Sequence, residues 1–274
     1  MTTSTQTAAV DAGWTFAPIV LVALAGYTWV YVARWRRSRA EGGARAAGAW
    51  RLAAFAGGIA TLFVALISPV DRLSEQLASV HMVQHLLIAD VAAILFTLSL
   101  TRWILRPATR RIHRLERAAG PFASPWFGVV AYVGVMWLWH LPYMYDAALE
   151  HGGVHTLEHL SFAAAGLLYW WHLLSPIRSR LRLGGMAPVA YMASTKLLVG
   201  FLGIVLAFAP RVIYDFYDTP GHRWGLTALD DQHVAGLIMA LEQSIVMGIA
   251  LAWLFMRMLS ESEEEEQRTE RYAS

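Results

Sequence analysis

The chain has no cysteine, which excludes disulfides, thiolate metal sites, cysteine nucleophiles and palmitoylation. It is also poor in charge. Asp, Glu, Lys and Arg make up 15% of its 274 residues and apolar residues 57%, whereas soluble domains carry about 25% charged residues. That balance excludes an ordinary soluble domain and points to burial in lipid. Lysine is nearly missing too: of 22 basic residues only Lys196 is not arginine. The arginines gather in a few loops, a pattern that reports membrane orientation and gives no basis for a nucleic-acid partner. No Lys or Arg precedes the first apolar run, so the basic n-region of a cleaved signal peptide is lacking and that run reads as a retained span.

What is present is a series of apolar stretches long enough to cross a bilayer, which needs about 20 residues per helix. They run roughly over 14–33, 52–68, 81–100, 126–141, 156–174, 189–209 and 234–256. The expected fold is therefore all-α, a polytopic membrane protein with seven transmembrane helices in residues 1–258. The first loop carries Arg34, Arg36, Arg37, Arg39, Arg45 and Arg51; the third Arg102, Arg106, Arg110, Arg111, Arg114 and Arg117; the fifth Arg178, Arg180 and Arg182. The even loops hold only Arg72, Arg211 and Arg223 among several acids. By the positive-inside rule the odd loops face the cytoplasm, giving N-terminus out, C-terminus in, and a multi-pass location in the cell membrane. Trp35, Trp103, Trp126, Trp137, Trp139, Trp170 and Trp171 fall near expected interfaces, where indoles are favoured. Residues 259–274, with Glu261 and Glu263 to Glu266, read as an acidic, disordered cytoplasmic tail.

The histidines are concentrated. His81, His85, His140, His151, His155, His159, His222 and His233 map to the outer ends of helices or to outer loops, while His113 and His172 lie on the cytoplasmic side. His81 and His85 are four residues apart, hence about 40° apart round a helix and about 6 Å along it, and can converge on one ion. His155-Thr156-Leu157-Glu158-His159 repeats that geometry with Glu158 on the same face. A lone interfacial His, such as His140, is by itself an ordinary hydrogen-bonding anchor, but two such pairs at one depth read as metal ligands. Imidazole suits copper and zinc. The metal set is His81, His85, His140, His155, His159 and His233, with Gln84, Glu158, Asp231, Met82 and Met136 as accessory groups. Asp230 or Asp231 could equally cap the seventh helix, and methionines pack by default unless the ion is cuprous.

Two acids lie deeper. Asp90 and Glu242 each follow a histidine by nine residues on one helix, about 13 Å further in. Intramembrane acids are costly and usually functional, so a proton, ion or interhelical hydrogen-bond role is expected. Lys196 is a partner for one of them or snorkels to the interface.

The segments His81-Met82-Val83-Gln84-His85-Leu86-Leu87, Trp139-His140-Leu141-Pro142, Tyr145-Asp146-Ala147-Ala148-Leu149, His155 to His159, Gly166-Leu167-Leu168-Tyr169-Trp170-Trp171, Asp231-Gln232 and Ala235 to Met239 resemble, in order and spacing, the multi-spanning CtaG family of cytochrome c oxidase assembly factors. Departures are His172, where a Pro commonly follows the paired Trp, and Leu241-Glu242-Gln243 in place of a more apolar stretch. The resemblance implies a non-enzymatic role in maturing a haem-copper oxidase by delivering copper to its catalytic copper centre. It also implies an oxidase subunit and an extracytoplasmic copper donor as partners. Zinc is the alternative metal, because His155-x-x-Glu158-His159 also matches the H-x-x-E-H pattern of membrane metallohydrolases. A b-type haem protein with facing axial His is a third reading.

Overall fold

A computed structural model describes residues 11–177, 183–218 and 224–273. Within them all regular structure is helical. The elements are α1 (Pro18–Ala46), α2 (Ala49–Leu66), α3 (Pro69–Ser74), α4 (Ala78–Ser99), α5 (Arg102–Leu105), α6 (Thr109–Ala119), α7 (Pro125–Trp139), α8 (Pro142–Glu150), α9 (Gly152–Leu174), α10 (Ala187–Ala207) and α11 (Ala228–Ala273). Proline in the first turn starts α1, α3, α7, α8 and α10, where its missing N–H costs nothing. Ser68 and Ser124 cap α3 and α7 through their hydroxyls. Thr227 and Asp230 form a reciprocal cap at the head of α11, with Asp230 N donating to Thr227 Oγ1 at 3.1 Å and Thr227 Oγ1 donating to Asp230 Oδ2 at 2.6 Å.

Every one of the expected apolar stretches lies on a helix. Among the described residues four helices are long and apolar enough to cross a membrane: α1, α2, α4 and α10; the count is five if α7 is joined to the helical segment before it, from which it is bent by 67°. Several expected loops are themselves helical. Arg34, Arg36, Arg37 and Arg39 ride on an extension of α1, the third loop holds α6, and short helices α3 and α8 lie at the opposite end. The acidic run expected to be a disordered tail is carried as a continuation of α11 to Ala273, a stretch of strong helix formers such as Glu and Arg. Arg178, Arg180, Arg182, His222 and Arg223 lie outside the described residues.

The arginine-rich segments and the two histidine pairs lie at opposite ends of the bundle. At one end Arg51 donates to the carbonyls of Leu98 and Leu100, Tyr31 Oη to those of Arg51 and Ser99, and Arg102 Nε to Pro176 O. At the other, Tyr217 Oη donates to Ser74 O at 2.6 Å and Phe216 N to Asp146 Oδ1 at 3.3 Å. The main core joins α4, α7, α9, α10 and α11, with Tyr132, Phe162, Tyr169, Trp170 and Tyr191 buried in it. Trp139 and Trp170 are buried within the bundle, and each spends its indole N–H on a polar partner, Ser161 and Asp90.

Small residues set the helix spacing. A Cβ on Gly166 of α9 would stand 2.0 Å from Ala89 O of α4, and one on Gly236 of α11 would stand 2.3 Å from Ala207 N of α10. Such close approach is how helices associate where lipid removes the hydrophobic drive between them. Beside Gly166, α4 widens into a π-helical turn over Leu87–Ala92, which carries Asp90. Tyr132 of α7 donates to Asp90 Oδ2 at 2.6 Å and Trp170 of α9 to Oδ1 at 2.8 Å. Asp90 is thus an interhelical hydrogen-bond node, and its partners are these two side chains rather than Lys196. Glu242 interacts electrostatically with Tyr132 and Tyr169 in the same region.

Gly166→Ala should therefore separate α4 from α9 and lower stability by about 1–3 kcal/mol, the usual cost of overpacking. Gly200→Ala on α10, where nothing lies within 4 Å of the added Cβ, should be neutral or slightly stabilising. Thermal unfolding midpoints of the purified protein in detergent check this, and equal midpoints for the two variants would contradict the packing.

Candidate metal centre

The site grows from two helices running parallel, side by side. α4 presents His81 and His85 one turn apart and α9 presents His155, Glu158 and His159, so that His81 faces His155 and His85 faces His159, with ring centroids 5.7 and 5.8 Å apart. Within each helix the paired rings are 4.1 and 4.2 Å apart. Their heights match because the two helices are locked further along by the Gly166–Ala89 approach and the Trp170–Asp90 hydrogen bond.

Glu158 lies in the middle, with no solvent exposure. Its Oε1 is 3.7 Å from His81 Nε2 and 3.5 Å from His85 Nε2, and its Oε2 is 4.0 Å from His155 Nε2. Those separations exceed the roughly 2.7–2.9 Å of a charge-assisted hydrogen bond. They match instead the spread of donors around an ion with bonds of about 2.0–2.2 Å on either side. Both nitrogens of His81 and His85, Nε2 of His155 and of His159, and both oxygens of Glu158 are buried without a hydrogen bond. Buried polar groups are rarely left so, and a carboxylate among imidazoles alone is costly unless cations compensate it. The donor chemistry fits a metal: ligand atoms of His81, His85 and Glu158, and of His155, Glu158 and His159, each lie within 4.8 Å of one another.

Other expected residues are placed differently. His140, at the C-terminal end of α7, has Nδ1 2.6 Å from Met136 O and Nε2 3.3 Å from Met82 Sδ, so it adjoins the cluster through Met82 and not through Glu158. The backbone carbonyl of Met136 serves here, while its side chain is buried in the core. His233 has Nε2 2.9 Å from Ala209 O, tying α11 to the end of α10. Gln84 Nε2 donates to Ala65 O at 2.8 Å and Asp71 Oδ1 at 3.0 Å, a tie to α2 and α3. Asp231 caps a helix, but not its own: it accepts from Ala78 N at 2.6 Å, Ser79 N at 3.2 Å and the Ser79 hydroxyl, at the start of α4. It thereby anchors the turn that carries His81. His113 pairs with Glu116, and His172 packs near Tyr191 at the arginine-rich end.

The tyrosines that roof the cluster were not singled out from sequence. Tyr145 of α8 lies 5.0 Å from the His81 ring and stacks on Tyr214 at 3.8 Å, with Tyr217 6.0 Å away. The only signal was the Tyr145-Asp146 pair in one matching segment, since outer-loop aromatics are otherwise read as membrane anchors. His155 is the most exposed of the three imidazoles facing Glu158, its side chain 16% accessible against 1% for His81 and 3% for His85, so the cluster is approached from the α9 side.

No match was found among curated proteins or among solved structures. The family described as cytochrome c oxidase caa3 assembly factor (Caa3_CtaG) matches residues 29–261, a stretch that takes in both histidine pairs, Glu158 and the helices that hold them. On that match the chain belongs to the caa3-type CtaG family of cytochrome c oxidase assembly factors.

Proposed function

We propose that this protein crosses the cell membrane seven times, N-terminus out, binds copper at the Glu158 cluster and hands it to the catalytic copper centre of a haem-copper oxidase. The observation that carries this reading is the cysteine-free set of four imidazoles around one buried carboxylate, at the end of the bundle opposite the arginine-rich end of α1 and α6. Arginine-rich segments stay cytoplasmic, so the cluster opens to the side where an incoming ion arrives. α9 and α11 bring the count of spans to seven, although His155, Glu158 and His159 in the first turns of α9 lower its apolarity. Family membership supports the oxidase as acceptor and an extracytoplasmic protein as donor.

A metallohydrolase using the His155-x-x-Glu158-His159 segment is less well supported. A general base needs an oxygen free to meet water, and both oxygens of Glu158 face imidazoles without solvent exposure.

Orientation is tested by single cysteines in the naturally cysteine-free chain. Glu150→Cys, exposed at the end of α8, should react with an impermeant maleimide in intact cells, and Ala118→Cys, exposed on α6, should not. The reverse pattern would invert the topology. Function is tested in a strain lacking the protein: oxidase polypeptides and haem should be present, copper per haem should fall, and excess copper should restore activity in part. The His81→Ala/His85→Ala variant should behave like the deletion. A normal copper-to-haem ratio with full activity would refute delivery.

A further inference from the structure

We infer that the Glu158 cluster holds two metal ions at once, one at the α4 histidine pair and one at the α9 pair, bridged by the Glu158 carboxylate. This rests on the metal-binding reading above and adds its stoichiometry. The first reason is how the donors group. The five ligating side chains fall into two sets, His81–His85–Glu158 and His155–Glu158–His159, and only within each set do all ligand atoms lie within 4.8 Å of one another. An ion with bonds of about 2.0–2.2 Å cannot reach donors more than about 4.4 Å apart, so no single position serves all five as they stand.

The second reason is how the carboxylate divides. Oε1 faces the α4 pair, 3.7 Å from His81 Nε2 and 3.5 Å from His85 Nε2, whereas Oε2 faces the α9 pair, 4.0 Å from His155 Nε2. One oxygen per histidine pair is the arrangement of a bridging carboxylate, and two-metal sites hold their ions about 3.5–4 Å apart. That spacing fits between pairs whose rings stand 5.7 and 5.8 Å apart across the two helices. Each ion then has two imidazoles and one oxygen, and neither pair has a lysine or arginine ion-paired to Glu158 among the described residues. Charge selects the oxidation state. Two monovalent ions over one carboxylate leave a single net positive charge in apolar surroundings, while two divalent ions leave three, so the cuprous form is favoured.

The experiment is a titration of the full-length protein, purified in detergent, with Cu(I) under reductant and separately with Zn(II), counting bound ions per chain by elemental analysis and native mass spectrometry. Wild type should bind two Cu(I) ions. His81→Ala/His85→Ala and His155→Ala/His159→Ala should each keep one, and Glu158→Gln should weaken the second ion at least tenfold while sparing the first. His172→Ala, at the other end of the bundle, should bind two, and unchanged helicity and elution volume would show that the variants fold. One ion per chain in wild type, lost entirely in either double variant, would overturn the two-ion site yet leave the metal-binding reading standing. No bound ion in folded wild type would overturn both.

Discussion

The structure turns on one buried carboxylate. Glu158 sits at zero exposure among imidazoles, with nitrogens 3.5–4.0 Å from its oxygens and no hydrogen bond to either oxygen. A carboxylate in such surroundings is unfavourable by several kcal/mol unless charge of opposite sign meets it. Everything around it acts to keep five donors in that geometry. The cost is accepted by a fold whose neighbouring elements are locked elsewhere.

Three devices do the locking. Asp231 caps α4 from α11 and fixes the turn bearing His81. Asp90, lifted into reach by the π-helical turn, takes hydrogen bonds from α7 and α9 and pins α4 between them. Gly166 lets α9 approach the backbone of α4 closely enough for the two histidine pairs to meet at one level. The two acids outside the cluster thus act as fasteners of the helices that form it. Tyr145, Tyr214 and Tyr217 close the cluster from above, and the side left most open is that of His155.

Much of this was legible in the sequence, for reasons that can be named. Helical spacing put each histidine pair on one face, and the absence of cysteine confined any metal to imidazole, thioether and carboxylate. The apolar runs marked the helices. What spacing could not give was the pairing of helices. Nothing in the positions of His140 and His233 says that one would reach Met82 and the other Ala209 O, because both contacts depend on how α7 and α11 lean. Asp231 reads locally as a cap for its own helix, and only the tertiary fold turns it toward α4. Glu158 looked accessory because a single helix gives it only the two histidines of its own face; the parallel neighbour makes it central. The first and third arginine-rich loops are largely helical, since Arg and Glu are strong helix formers.

X-ray absorption at the copper edge of the Cu(I)-loaded protein, compared with Glu158→Gln, tests the central claim most directly. The account predicts a first shell dominated by imidazole nitrogen, with carboxylate oxygen that is lost in the variant. A shell dominated by sulfur, or a spectrum unchanged by Glu158→Gln, would contradict it.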